Sequence, residues 1–196
     1  DPENRLLGRA HRRRVEAEVL RDAILQTSGR LDRTMGGPVV AHLGERAIDN
    51  DSKGGVPTDA NERRSVYLPV VRNNVYDVFQ LFDFVDPAVL ESNRNSTTVA
   101  PQALFWMNSP LVSESAARLS GKLLARSDLD DAGRISQLHV TLYGRPATPQ
   151  EIIRGRSALT RLASGSLDLD PAKRRTQAWA WYAHALISAN EFIYLR

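Results

Sequence analysis

Cysteine is absent from the sequence, and lysine is nearly so, because only three of the 26 basic residues are lysines. The absence of cysteine excludes disulfides, thiolate metal sites, a cysteine nucleophile and covalent attachment of a c-type haem within this chain. It does not indicate a cellular compartment, since a chain of 196 residues can bury enough apolar surface to fold without disulfides in either redox environment.

Long apolar runs and a strong excess of charge of one sign are lacking as well. No apolar stretch approaches the roughly 18 residues that a membrane-spanning helix requires, and the first residues do not resemble a signal peptide. The 26 basic residues face 23 acidic ones, which leaves a net charge of +3. A nucleic-acid-binding protein usually has a stronger excess, clustered on one face with aromatics between the charges. We therefore expect neither a membrane span nor a nucleic-acid partner.

The motifs of common catalytic and metal sites are missing too. There is no Gly-x-Ser-x-Gly elbow, and the glycine pairs lack the strand-turn-helix setting of a phosphate-binding loop. The histidines stand far apart in the sequence: His11, His42, His139 and His184. Residues 49–54 resemble the first half of a calcium loop, but Lys53 and Ala60 stand where acidic ligands are needed. We expect no metal in this chain.

Arginine is what the sequence has in excess, and in residues 12–22 it is interleaved with carboxylates. A guanidinium group stays charged and presents a planar fork of donors, so it suits buried ion pairs and anion clamps better than an ammonium group does. Two interpretations stay open: an ion-pair network that stabilises the fold, or the wall of a polar pocket. The preference for arginine over lysine is also typical of a GC-rich genome.

Apolar periodicity and capping residues predict a mainly α protein, a helical bundle of about six helices with a long irregular loop and a short extended segment. The first helix is expected from about residue 3 to residue 28, with Asp1 as its cap, Pro2 at its first position and Gly29 after its end. Further helices are expected at residues 101–107, from Pro110, at residues 131–143, after Thr148 with its capping-box partner Glu151, and after Asp170.

The middle of the chain shows little periodicity. We expect a single helical domain over residues 1–196, with a long irregular insertion at 29–100 and an extended segment at 64–72. Asp83 lies beside apolar residues, where a carboxylate can have a raised pKa and act as an acid or a base. Asp86 is expected to cap the turn that follows it. The polar run 93–98 either lines a pocket or satisfies backbone groups of the loop.

Many separate strings along the chain resemble one known family. They are residues 1–7, 13–18, 21–25, 28–32, 64–67, 82–84, 94–95, 97–98, 101–104, 108–110, 142–146 and 191–194. The family is that of the planctomycete-type secreted proteins whose C-terminal region is domain of unknown function 1553. The strings occur in order and extend over essentially the whole chain, so the resemblance is specific.

The resemblance implies an extracytoplasmic location, either periplasmic or secreted. Members of the family join this domain to an N-terminal cytochrome-c-like module and a second uncharacterised domain. The chain is therefore expected to be the C-terminal part of a larger protein, whose N-terminal domains are its partners. The resemblance implies no cofactor in this chain, with haem only in a neighbouring domain. No reaction is established for the family, so no catalytic residue is carried over.

Three functions stay open. The first is a binding or scaffold module that presents guanidinium and amide groups to an acidic or polyhydroxylated ligand, such as a sulfated polysaccharide. The second is part of an extracytoplasmic enzyme, redox or polysaccharide-related, that uses carboxylate–arginine pairs. The third is a purely structural domain fixed by ion pairs. The candidate site residues are Arg13, Glu18, Arg21, Arg64, Arg72, Asp83, Arg94, Asn95, Gln102 and Asn108.

Overall fold

The computed structural model describes residues 1–37, 61–70, 75–91, 93–165 and 168–195, and these residues are mainly helical. They form α1 (Ala17–Ser28), α2 (Asp77–Leu81), α3 (Ala100–Asn108), α4 (Pro110–Leu124), α5 (Asp131–Tyr143), α6 (Pro149–Ser164), α7 (Pro171–Ile187), α8 (Asn190–Ile193) and two strands, β1 (Arg13–Arg14) and β2 (Tyr194–Leu195). Six of these helices are nine residues or longer, so the predicted mainly α fold with about six helices is confirmed. Within the described ranges, no helix has the length and apolar character needed to cross a membrane.

The chain divides into two compact units. The middle unit comprises Glu16–Ser115, and the terminal unit comprises Asp1–Val15 together with Ala116–Arg196. The prediction of a single domain with an insertion at residues 29–100 stays a prediction.

The middle unit is built around the buried face of α1. Leu20 and Ile24 are completely buried, as expected for apolar residues four positions apart on a helix. Helix α1 packs against α2 and against a short 3-10 helix at Ser65–Tyr67, and α2 packs against α3. Between α2 and α3, the rings of Phe82 and Trp106 meet edge to face with their centroids 5.6 Å apart. Apolar and aromatic burial therefore holds the elements of this unit together.

The first helix begins later than its periodicity predicts. It starts at Ala17, not near residue 3, so that prediction is wrong. The carboxylate of Asp1 accepts hydrogen bonds from the backbone N–H groups four and five residues on, at 2.9 and 2.8 Å, within an irregular turn. Asn4 and Leu7 both have φ of 53°, a left-handed conformation that no α-helix can continue through. Gly29 does end α1, with φ of 70°, as predicted.

The structure also departs from the extended segment expected at residues 64–72, in the part of that segment that is described. Ser65–Tyr67 forms the 3-10 helix, so the prediction is wrong for these residues. The cause is Asp22 on α1, whose Oδ1 accepts hydrogen bonds from the backbone N–H and the hydroxyl of Ser65 at 2.9 and 2.6 Å. These bonds turn the backbone where β-branched and aromatic residues favour a strand. Residues 71 and 72 lie outside the described residues.

The terminal unit contains the second half of α4, the packed helices α5, α6 and α7, the short α8 and a small sheet. Strands β1 and β2 pair antiparallel, with Arg13 opposite Leu195 and Arg14 opposite Tyr194. Helices α6 and α7 approach closely at Gly155, where an added Cβ would lie 2.6 Å from the hydroxyl oxygen of Tyr182. Local periodicity cannot predict a pairing between the two ends of a chain.

The helix ends of the terminal unit follow the predicted capping residues. The hydroxyl of Thr148 accepts from the backbone N–H of Glu151 at 3.3 Å, and the Glu151 carboxylate accepts from the Thr148 backbone N–H at 2.7 Å. This reciprocal pair is a capping box. The carboxylate of Asp170 accepts from two backbone N–H groups at the start of α7. Gly144 ends α5 in the left-handed conformation.

Candidate functional site

Two of the predicted site residues form an ion pair in the middle unit. Arg94 donates two hydrogen bonds to the carboxylate of Glu18, both at 2.7 Å, and a longer one of 3.4 Å to Glu16. The guanidinium carbon of Arg94 also lies 5.4 Å from the ring centre of Phe84. Burial raises the pKa of Glu18, but the hydrogen bonds from Arg94, a backbone hydrogen bond and the charge of Arg94 together outweigh it, and the net pKa is lowered. Glu18 is therefore held as a charged partner of Arg94.

A third predicted residue, Arg21, is almost completely buried. Its side chain is 3% exposed and donates to the backbone carbonyl of Arg63 at 2.8 Å and to that of Asn61. It also lies 3.5 Å from the carboxylate of Asp22. Arg21 thus joins α1 to the segment 61–65, which is a stabilising role.

Asp83 and Gln102 bind the polar run that follows α2. Asp83 accepts from the backbone N–H and the hydroxyl of Thr97, both at 2.8 Å. The amide nitrogen of Gln102 donates to the backbone carbonyls of Leu81 and Thr97 at 2.8 and 3.2 Å. These bonds satisfy backbone groups of an irregular segment, which is one of the two roles predicted for the polar run. Asp86 accepts from the backbone N–H of Ala88 at 2.8 Å, so its predicted capping role is confirmed.

The other predicted residues belong to both units, and one of them is not described. Arg64, Asn95 and Asn108 are exposed on the middle unit, and Arg13 lies on β1 in the terminal unit. Arg72 lies outside the described residues. Their roles in binding stay predictions.

A cleft of about 450 Å³ in the middle unit includes two of the predicted residues, Arg21 and Asn108. Its walls come mainly from apolar side chains of α2, α3 and the start of α4, among them Leu81, Leu104 and Phe105. The guanidinium group of Arg21 is bonded to backbone carbonyls, so it does not supply a free charge to the cleft. The cleft is therefore a mainly apolar groove.

A larger cleft, of about 740 Å³, lies in the terminal unit between α5, α6 and α7. We call it the arginine cleft. Its lining residues are Asp130, Asp131, Arg134, Arg156, Leu159, Thr160, Ala163, Pro171, Arg174, Arg175, Ala178 and Trp179. Four guanidinium groups against two carboxylates leave the lining with a net charge of +2. Such a surface attracts anions.

The four arginines of this cleft differ in exposure and in their bonds. Arg134 is only 11% exposed and donates to the carbonyls of Leu123 and Arg126, and Arg174 donates to the carbonyl of Leu169 at 3.0 Å. The side chains of Arg156 and Arg175, by contrast, are 56% and 52% exposed. The two exposed guanidinium groups are therefore the ones that an incoming molecule can reach.

The two aspartates of the cleft lie against these guanidinium groups. One carboxylate oxygen of Asp131 accepts from Arg175 at 2.7 Å and from Arg134 at 3.1 Å. A carboxylate oxygen of Asp130 accepts from Arg156 at 3.3 Å. The carboxylates thus occupy places from which another anion could also accept hydrogen bonds.

Sequence reasoning missed the arginine cleft. Its charged residues come from three helices and are separated by up to 45 positions, so no local pattern unites them. The one local signal is the i,i+3 spacing of Asp131 and Arg134 on α5.

The described residues contain no group of three or more histidine, aspartate or glutamate side chains placed to hold a metal ion. The calcium-loop-like segment 49–54 and His42 lie outside them. Of the dispersed histidines, His139 is 2% exposed and its Nδ1 lies 3.0 Å from the carbonyl of Ile135, so it forms part of the core of the terminal unit.

Comparison with known proteins agrees with the resemblance noted in the sequence. The family model described as "Protein of unknown function (DUF1553)" matches residues 1–159, which include the middle unit, α5 and most of α6. Arg174 and Arg175 of the arginine cleft lie beyond the matched residues. No curated protein and no solved structure matches the chain. Because the matched residues make up most of its length, the chain belongs to the DUF1553 family of proteins of unknown function.

Proposed function

We propose that the chain is a binding module for an acidic, polyhydroxylated ligand such as a sulfated polysaccharide, and that the ligand binds in the arginine cleft. The observation that carries this proposal is the set of four guanidinium groups around one cleft of about 740 Å³. That volume lies within the range of about 300–1,000 Å³ that is usual for ligand sites.

The chemistry of the lining supports an acidic ligand. Guanidinium forks match the planar or tetrahedral oxygen groups of carboxylates and sulfates and bind them with two parallel hydrogen bonds. Arg156 and Arg175 supply such forks from two different helices, α6 and α7. Leu159 and Trp179 add buried apolar groups to the lining, and the Thr160 hydroxyl, which donates to the carbonyl of Arg156 at 3.0 Å, is left as a neutral acceptor. Charged, neutral polar and apolar groups together suit a substituted sugar.

The proposal uses a different set of residues from the set that the sequence suggests. Arg94 and Gln102 bind partners within the middle unit, so they support a stabilising role for that part of the chain. In the enzyme alternative, a carboxylate that acts as a general acid needs a raised pKa. The pKa of Glu18 is lowered by its partner Arg94 in spite of its burial, so we do not favour catalysis by this pair.

The setting of the module is also a proposal. An extracytoplasmic location, beside a cytochrome-c-like module in the same protein, is supported by the family resemblance of the sequence. A positively charged cleft would there meet acidic polysaccharides, which are extracellular polymers.

The test is a thermal-shift titration of the chain with a sulfated hexasaccharide and with its unsulfated counterpart, at low and at physiological salt. We expect the sulfated sugar to raise the melting temperature at both salt concentrations. Arg156→Gln and Arg175→Gln should each weaken its binding about tenfold, because a hydrogen bond to a charged group contributes roughly 1.5–3 kcal/mol. Arg154→Gln is the matched control, since Arg154 is an exposed arginine of α6 that does not line the cleft.

Two results would contradict the proposal. A stabilisation that disappears at physiological salt would indicate diffuse attraction, because the Debye length there is only about 8 Å. Equal losses of affinity in Arg154→Gln and Arg175→Gln would mean that the sugar binds to positive charge in general and not in the cleft.

A further inference from the structure

The arginine cleft contains carboxylates of its own at the positions suited to a bound anion. Asp131 is the first residue of α5, and one of its oxygens accepts from Arg134 on the same helix and from Arg175 on α7. Asp130 accepts from Arg156 on α6 in the same way. Both exposed guanidinium groups of the cleft are therefore already bound to an aspartate.

These contacts are weak enough to exchange. The side chains of Asp130 and Asp131 are 70% and 40% exposed, and their partners Arg156 and Arg175 are more than half exposed. Ion pairs with this exposure contribute only about 0.2–1 kcal/mol each, because water screens the charges and the long side chains lose freedom. The pair of Asp131 with Arg134 is less exposed, since the Arg134 side chain is 11% exposed, and it lies within α5. An incoming anion with two oxygens directed at one fork can replace a single carboxylate oxygen.

We infer that Asp130 and Asp131 act as internal competitors, each holding one anion position of the cleft until the ligand replaces it. This inference rests on the proposed function. It also specifies the class of ligand: a molecule with two acidic groups, one for Arg156 and one for Arg175, to replace the two carboxylates. A ligand with a single acidic group would release only one of the two pairs.

The competitors can be neutralised with little change to the fold. Asp130 is the N-cap of α5 and accepts from the backbone N–H of Gly133 at 2.8 Å. Asparagine caps helices about as well as aspartate, so Asp130→Asn keeps this bond and removes the charge. Asp131 is half-buried in the first turn of α5, and Asp131→Asn removes its charge interactions with Arg134 and Arg175 and with the helix dipole.

The experiment measures the affinity of the chain, by calorimetric titration at physiological salt, for chondroitin-type disaccharides with one carboxylate and either no sulfate or one sulfate. For the monosulfated disaccharide we expect Asp131→Asn to raise the affinity about three- to tenfold, because release of Arg175 and Arg134 no longer opposes binding. In wild type, the monosulfated disaccharide should bind more tightly than the unsulfated one. In the double variant Asp130→Asn, Asp131→Asn that difference should become larger, because the second acidic group no longer has to displace a carboxylate from its arginine.

Asp128→Asn is the matched control. Asp128 accepts two hydrogen bonds from Arg126, at 2.7 and 2.6 Å, but does not line the cleft. An equal gain in affinity in Asp128→Asn would overturn the inference, since removal of any nearby negative charge would then raise the affinity as much as removal of a cleft aspartate. A loss of affinity in Asp131→Asn would overturn it too, because the carboxylate would then be positioning the arginines for the ligand.

The failure of this inference and of the proposed function give different results. If Arg175→Gln weakens binding while Asp131→Asn leaves it unchanged, the cleft is the site and the aspartates are not competitors. If Arg175→Gln leaves binding unchanged, or wild type and the asparagine variants alike bind neither disaccharide, the site itself is wrong and the inference falls with it.

Discussion

Single arginines join segments that are far apart in the sequence. The Arg94 fork takes both carboxylate oxygens of Glu18, 76 positions away. Arg145 similarly binds the carboxylates of Glu151 and Glu191, with the shortest distance to each at 2.7 Å. A planar fork with two bonds fixes the orientation of its partner as well as its position. The excess of arginine in the composition therefore has a structural use in both units.

Loss of the Arg94 fork should lower stability in a pH-dependent way. We expect Arg94→Gln to lower the free energy of unfolding at neutral pH by about 1 kcal/mol, since both partners are partly exposed and screened by water. The measurement is urea denaturation of wild type and variant from pH 7 to pH 3. Arg118→Gln, at an exposed arginine of α4, is the control and should have little effect.

The sign of the pH dependence comes from the lowered pKa of Glu18. A carboxyl group whose pKa is lower in the folded than in the unfolded state stabilises the fold above its ordinary value, here 4.5. That stabilisation is lost as the pH falls through the lowered pKa. The free energies of unfolding of wild type and Arg94→Gln should therefore converge as the pH falls toward 3. A difference that stays constant with pH would show that the Arg94–Glu18 ion pair is not the source of the lost stability.

The sequence indicated that Glu18 and Arg94 matter, but not that they are partners. Glu18 has Arg14 and Arg21 at spacings of four and three residues, which favour ion pairs along one helix. In the structure Arg14 lies on β1 and Arg21 turns toward buried carbonyls, so neither takes that role. Pairing over 76 positions depends on tertiary structure, which residue spacing does not contain.

Helices of the terminal unit could be predicted closely because each carries its own start and stop signals. Helix α5 spans the predicted residues 131–143, and α6 and α7 begin after the predicted caps Thr148 and Asp170. The prediction of the first helix was wrong because the spacing of its leucines is also that of a buried helix face. Leu6 and Leu7 are in fact 85% and 76% exposed, so no core packing supports a helix there.

The close contact of α6 and α7 gives a prediction for glycine. In a helix, Gly→Ala normally stabilises by roughly 0.8–1 kcal/mol. At Gly155 the new Cβ would lie 2.6 Å from the Tyr182 hydroxyl oxygen and 2.9 Å from Cδ1 of Ile135. We expect Gly155→Ala to destabilise the chain by about 1–3 kcal/mol in thermal denaturation, because both neighbours are buried and must shift.

Gly121 is the matched control for this substitution. It lies in α4, is exposed, and an added Cβ there meets no heavy atom within 4 Å apart from its chain neighbours and the backbone of its own helix. Gly121→Ala should therefore raise the melting temperature while Gly155→Ala lowers it. Stabilisation by both substitutions would mean that α6 and α7 do not pack as closely as described.

At the scale of the whole molecule, the mainly α class and the family could be predicted from the sequence, whereas the candidate site could not. Composition and periodicity report on each segment separately, and caps report on its ends. The arginine cleft brings together side chains of α5, α6 and α7 that no motif connects. Positions such as Arg156 and Arg175 resemble any other exposed arginine until the helices are packed.

The most direct test of an anion site in the arginine cleft is an NMR titration of the ¹⁵N-labelled chain with the sulfated hexasaccharide at physiological salt. The signals to follow are the arginine side-chain Nε–H resonances, which report on each guanidinium group separately. We predict that the resonances of Arg156 and Arg175 shift with one common dissociation constant, while those of Arg94 and Arg145 stay in place. Shifts spread over exposed arginines generally, or confined to the middle unit, would contradict the proposed site.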